Sequence, residues 1–150
     1  MWFFTFLTAV LCFQNVLARD TKFVERCLES CQIALSYLIF PGTDPTDYYV
    51  DQCSNKLRLT SMYACAHEYC TDWEIDAGIE WANETCVEYA MIAIPAYETE
   101  AVKFTNAFMK NLTVVGYADA LMGAIMNTSV MISRDYYEQS LKTDVSDKFP

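Results

Sequence analysis

The sequence predicts a mainly α, small disulfide-stapled helical domain, built as a helix hairpin plus two to three further helices and a polar C-terminal tail. Three observations predict it. Apolar residues recur at helical rather than alternating spacing along most of the chain. Six cysteines, an even number, fall between positions 27 and 86. An apolar, uncharged leader precedes them, which sends the chain to a compartment where thiols oxidise.

Residues 1–18, MWFFTFLTAVLCFQNVLA, carry no charged side chain, and Arg19 and Asp20 follow at once. Val16 and Ala18 put small residues at the −3 and −1 positions of a cut after Ala18, so residues 1–18 are expected to be a signal peptide. Gln14 and Asn15 shorten the apolar run below the roughly 20 residues of a membrane span, which favours a cleaved signal over an anchor. No later stretch approaches that length. The mature chain is expected to be secreted, or to lie on the extracellular face of the plasma membrane, with no membrane span of its own. Cys12 leaves with the leader.

On length the mature chain is one domain, large enough to bury about two-thirds of its unfolded surface. Its expected parts are a cysteine-stapled helical region over 19–95, a helical extension packed on it over 96–132, and a polar tail over 133–150. All six cysteines lie in the first part, so the second half must hold by packing or by docking onto the stapled half. The net charge of −10 excludes nucleic acid and anionic membrane surfaces, which require cationic patches.

Phe23, Cys27, Cys31, Ala34, Leu35 and Leu38 share one helical face, with Thr21 as cap. The turn formers of Pro41–Asp47 end that helix. A second stretch runs from Tyr49 to Cys70 with a break near Ser54-Asn55, and in its last part Leu59, Met62, Tyr63, Ala66 and Tyr69 share a face. Asp76-Ala77-Gly78 opens a third helix, which Pro95 ends. Thr99 is the expected cap of a fourth, striped by Ala101, Phe104, Phe108 and Leu112. After Gly116 a fifth carries Ala118, Leu121, Met122 and Ile125. Val114-Val115 and Val130-Met131-Ile132 read as short extended pieces, and the tail from Ser133 is polar and poorly periodic.

Cys65-Ala66-His67-Glu68-Tyr69-Cys70 has the look of a metal cluster, but zinc and iron need thiolates, and an exported chain holds its cysteines oxidised. The expectation is disulfide cysteines beside an exposed histidine, the only one in the chain. An oxidised sulfur is also no nucleophile. Six cysteines allow fifteen pairings. A hairpin turning at 41–47 sets Cys31 nearest Cys53 and Cys27 nearest Cys65, and leaves Cys70 to Cys86. Cys65 and Cys70, about 140° apart on an α-helix, are expected to reach different elements.

Three sequons occur, at Asn83, Asn111 and Asn127. Asn111 and Asn127 fall near predicted helix ends and are the expected glycosylation sites. Asn83 sits within an apolar helical face and is expected instead to bridge backbone groups. No nucleotide-binding glycine motif, nucleophile elbow or His-Glu-x-x-His is present, so no catalytic, cofactor-binding or metal-ligating residue is assigned.

The cysteine frame carries a resemblance. Cys27-x3-Cys31-Gln32-x-Ala34-Leu35 is followed by Phe40, Tyr48-Tyr49 and Cys53-Ser54-Asn55. Ser61-Met62-Tyr63-Ala64-Cys65-Ala66, Tyr69-Cys70, Ala77-Gly78-Ile79 and Asn83-x2-Cys86 complete it. The series, over 27–95, resembles the extracellular N-terminal region of fungal ferric and cupric-chelate reductases, the membrane flavocytochromes of iron and copper uptake. Tyr136–Thr143 is similar to the segment leading into that family's first membrane helix. The resemblance implies a non-catalytic outer domain, with the reductase membrane domain or an extracellular metal chelate as partner. The family's haem, FAD and NADPH sites lie in regions without counterpart here, so none of its catalytic residues carries over. The alternative is a standalone secreted cysteine-rich binding or interaction protein of the effector type.

Overall fold

The computed structural model describes residues 25–42 and 46–147, with side chains described as far as Thr143. The expected signal peptide, the expected cleavage after Ala18 and the expected Thr21 cap lie outside the described residues.

Helix α1 spans Arg26–Ser36. Its Cys27, Leu28, Cys31, Ala34 and Leu35 are buried, and the buried face continues into Leu38 and Phe40. The last carbonyls of a helix have no partner within it, and here three tertiary donors reach this end of the chain. Tyr136 donates to the Ala34 carbonyl at 2.8 Å, and Arg58 donates to those of Leu35 (2.8 Å) and Leu38 (3.1 Å).

Arg58 belongs to a device that breaks the second helical stretch in two. Helix α2, Tyr48–Ser54, starts on Asp47, whose carboxylate accepts from the Val50 N–H. Asn55 then leaves the helix with φ −71° and ψ 110° and caps α3, Lys56–Tyr69, by accepting from the Leu57 and Arg58 N–H groups. Its amide nitrogen donates to the Phe40 carbonyl at 3.2 Å and to Asp51 at 3.1 Å. The Arg58 guanidinium pairs with Asp51 at 2.8 Å and lies over the Phe40 ring. The predicted break at Ser54-Asn55 is thus a built corner with every strong donor used.

Helix α3 is buried on most sides, with Leu59, Met62, Tyr63, Ala64, Cys65 and Ala66 all in the core. Helix α4, Asp72–Ala90, begins four residues before the expected opening at 76–78 and starts with the Glu74 carboxylate accepting from Thr71. Gly78 therefore sits inside α4. A Cβ there would stand 2.6 Å from Leu28 Cβ, so this glycine permits close α1–α4 packing rather than opening a helix. Met91, in the left-handed region at φ 57°, ends α4 before Pro95 is reached.

The disulfides correct the expected connectivity. They are Cys27–Cys70, Cys31–Cys65 and Cys53–Cys86. The Asn55 corner puts Cys53 on a separate helix facing α4, while α3, without α2, pairs antiparallel with α1. Cys65 and Cys70 both reach α1, contrary to the helical-wheel expectation, because Cys70 has already left the helix at φ −98° and ψ 151°.

The expected fourth helix is two single turns, α5 (Tyr97–Ala101) and α6 (Asn106–Asn111). Thr99 lies inside α5; the capping threonine is Thr105, which accepts from the Phe108 N–H at 3.2 Å. Phe104, between the two turns, is still buried. Strands β1 (Thr113–Val115) and β2 (Val130–Ile132) pair parallel, Thr113 opposite Val130. Helix α7, Tyr117–Leu121, lies between them and buries Ala120, while Leu121, Met122 and Ile125 are exposed against expectation. The polar tail is helix α8, Arg134–Asp147, lying along α1. It buries Tyr136, Tyr137 and Ser140, a narrow face whose hydroxyls disguise it in a hydropathy pattern.

Candidate functional site

After Met91 the chain reverses and runs back beside α4. Asp76, Ile79, Glu80 and Asn83 occupy one face of α4 by helical spacing and face the returning 93–98 segment across a cleft of about 540 Å³. Asn83 ties the two walls, its Oδ1 accepting from the Ile94 N–H at 3.1 Å. The Pro95 carbonyl accepts from the Tyr63 hydroxyl, which fixes the far wall to α3.

The floor is apolar, made by Ile79, Ile94, Pro95 and Tyr97, and the exposed carboxylates of Asp76, Glu80 and Glu98 form the rim. Among the described residues no basic side chain lines the cleft. Such an arrangement favours cations and cationic side chains with an apolar stem, and repels anions. Tyr97 closes one end, its hydroxyl 2.9 Å from Nδ1 of His67 and its ring edge-on to Tyr63. Burial, reinforced by Asp72, holds the Tyr97 phenol above its usual range, and burial with Glu100 and Glu98 does the same for Tyr63. Both phenols stay protonated near neutrality, and that of Tyr63 donates to the Pro95 carbonyl.

The residues singled out in the sequence are scattered around this cleft rather than gathered in it. Asn83 lines it, half-buried and accepting from the Ile94 backbone N–H. Asn111, the last residue of α6, and Asn127, in the bend before β2, are exposed and lie elsewhere. His67 is exposed between oxidised Cys65 and Cys70. Among the described residues no three histidine, cysteine or acidic side chains converge as metal ligands, and no helix is long and apolar enough to cross a membrane. Sequence reasoning missed the cleft. Its α4 face follows from the spacing of Asp76, Ile79, Glu80 and Asn83, but the opposite wall depends on the Met91 reversal, which no glycine marks. Comparison with protein-family models, curated proteins and solved structures found no match for this chain.

Proposed function

We propose that the chain is a non-catalytic extracellular domain of the kind found outside fungal ferric and cupric-chelate reductases, linked to iron or copper uptake. The observation that carries the reading is the cysteine frame with its landmarks, Cys27 to Cys86 together with Tyr63, Gly78 and Asn83. Closure of all six cysteines into disulfides supports it, because such pairing suits an oxidising compartment. The acidic cleft supports a partner-facing or substrate-facing role, with the metal chelate as substrate of the larger assembly.

The paired-histidine haem ligation of that family does not fit the residues present. Paired axial histidines are impossible with one histidine, and Nδ1 of His67 is engaged by Tyr97. No step is therefore assigned to haem in this chain.

A genomic or transcript read across the coding region tests the proposal. Membrane helices bearing histidine pairs, in frame downstream of this sequence, are the expected result. A reading frame without them sinks the reductase reading and favours a second one, a free secreted binding protein. The apolar-floored, anionic cleft favours that second reading, and the glycosylated protein recovered from culture medium would support it. Calorimetry of the oxidised domain with Fe³⁺ and Cu²⁺ separates direct metal binding from both.

A further inference from the structure

An exposed apolar surface is made where the α7–β2 connection lies alongside the end of α1. Ile39 and Ile125 form a parallel bridge, with the Ile39 N–H donating to Ala124 at 3.1 Å and the Met126 N–H to Ile39 at 2.8 Å. Extended backbone sends successive side chains to opposite sides, and burial follows that period. Leu38 and Phe40 point into the core, as do Ala124 and Met126 in part, leaving Ile39 and Ile125 outward at 48% and 62% exposure. Gly123, at φ +60°, turns the chain so that Ile39 Cδ1 lies 4.0 Å from where its Cβ would be. Leu121 and Met122, just before the turn, are 68% and 85% exposed. An apolar face of this kind on a soluble domain calls for a cover.

Two residues beyond Ile125, in the bend that follows the bridge, is Asn127, exposed and followed by Thr128-Ser129. We propose that an N-linked glycan on Asn127 is the cover of this face. The inference rests on the reading that the chain passes through the secretory pathway. In the attachment, Asn127 Nδ2 forms a bond to the anomeric carbon of N-acetylglucosamine and loses a proton. The bond from that carbon to the pyrophosphate of a lipid-linked oligosaccharide donor breaks, and the lipid pyrophosphate leaves. The C–H-rich face and acetyl methyl of the first sugar then lie over Ile125 and Ile39, while the outer sugars keep the region hydrated. A second copy of the chain suits the face less well, because it brings two bodies of net charge −10 together. Asn111, at the end of α6, and Asn83, in the acidic cleft, serve as internal comparisons.

The test uses the full chain secreted from a glycosylating eukaryotic host, as wild type, Asn127→Gln, Ser129→Ala and Asn111→Gln. Mass before and after peptide-N-glycosidase treatment, anilinonaphthalene-sulfonate fluorescence and sedimentation are the readouts. Asn127→Gln, Ser129→Ala and enzymatic deglycosylation of folded wild type should each expose the face and raise dye fluorescence several-fold. Asn111→Gln should lose one glycan with no rise, and adding Leu121→Ser and Ile125→Ser to Asn127→Gln should abolish the rise. Secreted protein glycosylated at Asn111 but bare at Asn127 overturns the inference, as does loss of the Asn127 glycan without a dye response. A dimer already present in glycosylated wild type, broken by Ile125→Ser, assigns the face to a second copy instead. Protein retained in the cytosol with all three sequons bare removes the secretory reading and this inference with it.

Discussion

The two halves of the domain are held by different chemistry. Residues 26–90, comprising α1 to α4, carry all three disulfides and the Asn55–Arg58–Asp51 corner. Residues 91–147 have no disulfide and reach the first half through apolar packing, the Ile39–Ile125 backbone bridge, the Asn83–Ile94 bond and a set of hydroxyl groups. Tyr63 donates to Pro95, Tyr69 to Ile132 and Tyr136 to Ala34. Tyr137 donates to the Cys27 sulfur, which as part of a disulfide has no proton to give. Ser61 accepts from the Val130 N–H at 2.9 Å. A disulfide acts mainly on the unfolded chain and is indifferent to water. A phenol bonded to a carbonyl stabilises only while it stays dry and protonated. The stapled half should therefore outlast the docked half under almost any stress.

The largest way to break that contrast is to remove a staple. Replacing Cys31 and Cys65 together by Ala opens a loop with a sequence separation of 34. It should cost about 3–4 kcal/mol in chemical denaturation, by loop entropy, and bring the first half down to the second. Gly78→Ala comes next. The added methyl gains helix propensity of about 1 kcal/mol but meets Leu28 Cβ at 2.6 Å, so overpacking of about 1–3 kcal/mol wins. Leu28→Ala should not rescue it, since the clash is with the Cβ that alanine retains; a double-mutant cycle by thermal melting checks this.

Smaller effects sharpen the docked half. Tyr136→Phe leaves the Ala34 carbonyl at the α1 terminus without its donor and should cost about 1 kcal/mol. Hydrogen exchange should then show lost protection in α8 with α3 unchanged. Alkali should produce the mildest and most selective effect. Burial, helped by Tyr37 and Tyr117, pushes Tyr136 up to about 12, and burial with Glu74 pushes Tyr137 likewise to about 12. Unfolded phenols ionise near 10, so the unfolded chain sheds these protons first. Stability from these two groups is constant below pH 10 and declines from there through 12. Absorbance at the tyrosinate band, followed with circular dichroism, should place α8 release in that window, and Tyr136→Phe with Tyr137→Phe should flatten it.

The helices of the first half were largely legible, because Cys27, Cys31, Ala34 and Leu35 lie on the buried side of α1 and so imprint a clear period. The even cysteine count foretold full pairing. The partners were not legible, since the pairing depends on a corner at Asn55 whose strength comes from Arg58, Asp51 and Phe40. In the second half the periodic signal misled. Ala101, Phe104, Phe108 and Leu112 imply one helix, yet Thr105 competes for the backbone and starts a new turn. Leu121, Met122 and Ile125 imply a buried stripe and are exposed. Conversely, α8 buries tyrosines and a serine that a hydropathy pattern scores as polar. The cleft was half visible: its α4 face has helical spacing, while its other wall follows from a left-handed Met91.

By itself, then, the sequence determined a mainly helical chain with oxidisable cysteines, a break near Asn55 and short extended pieces at 114–115 and 130–132. Those features arise from neighbours within a turn or two, where side-chain period and capping chemistry act. Only the tertiary structure decided which cysteines meet, why Gly78 must be small, where α8 lies and which apolar residues remain outside. Each of those depends on groups far apart in the chain, and their contacts exist only once α1 has neighbours on several sides.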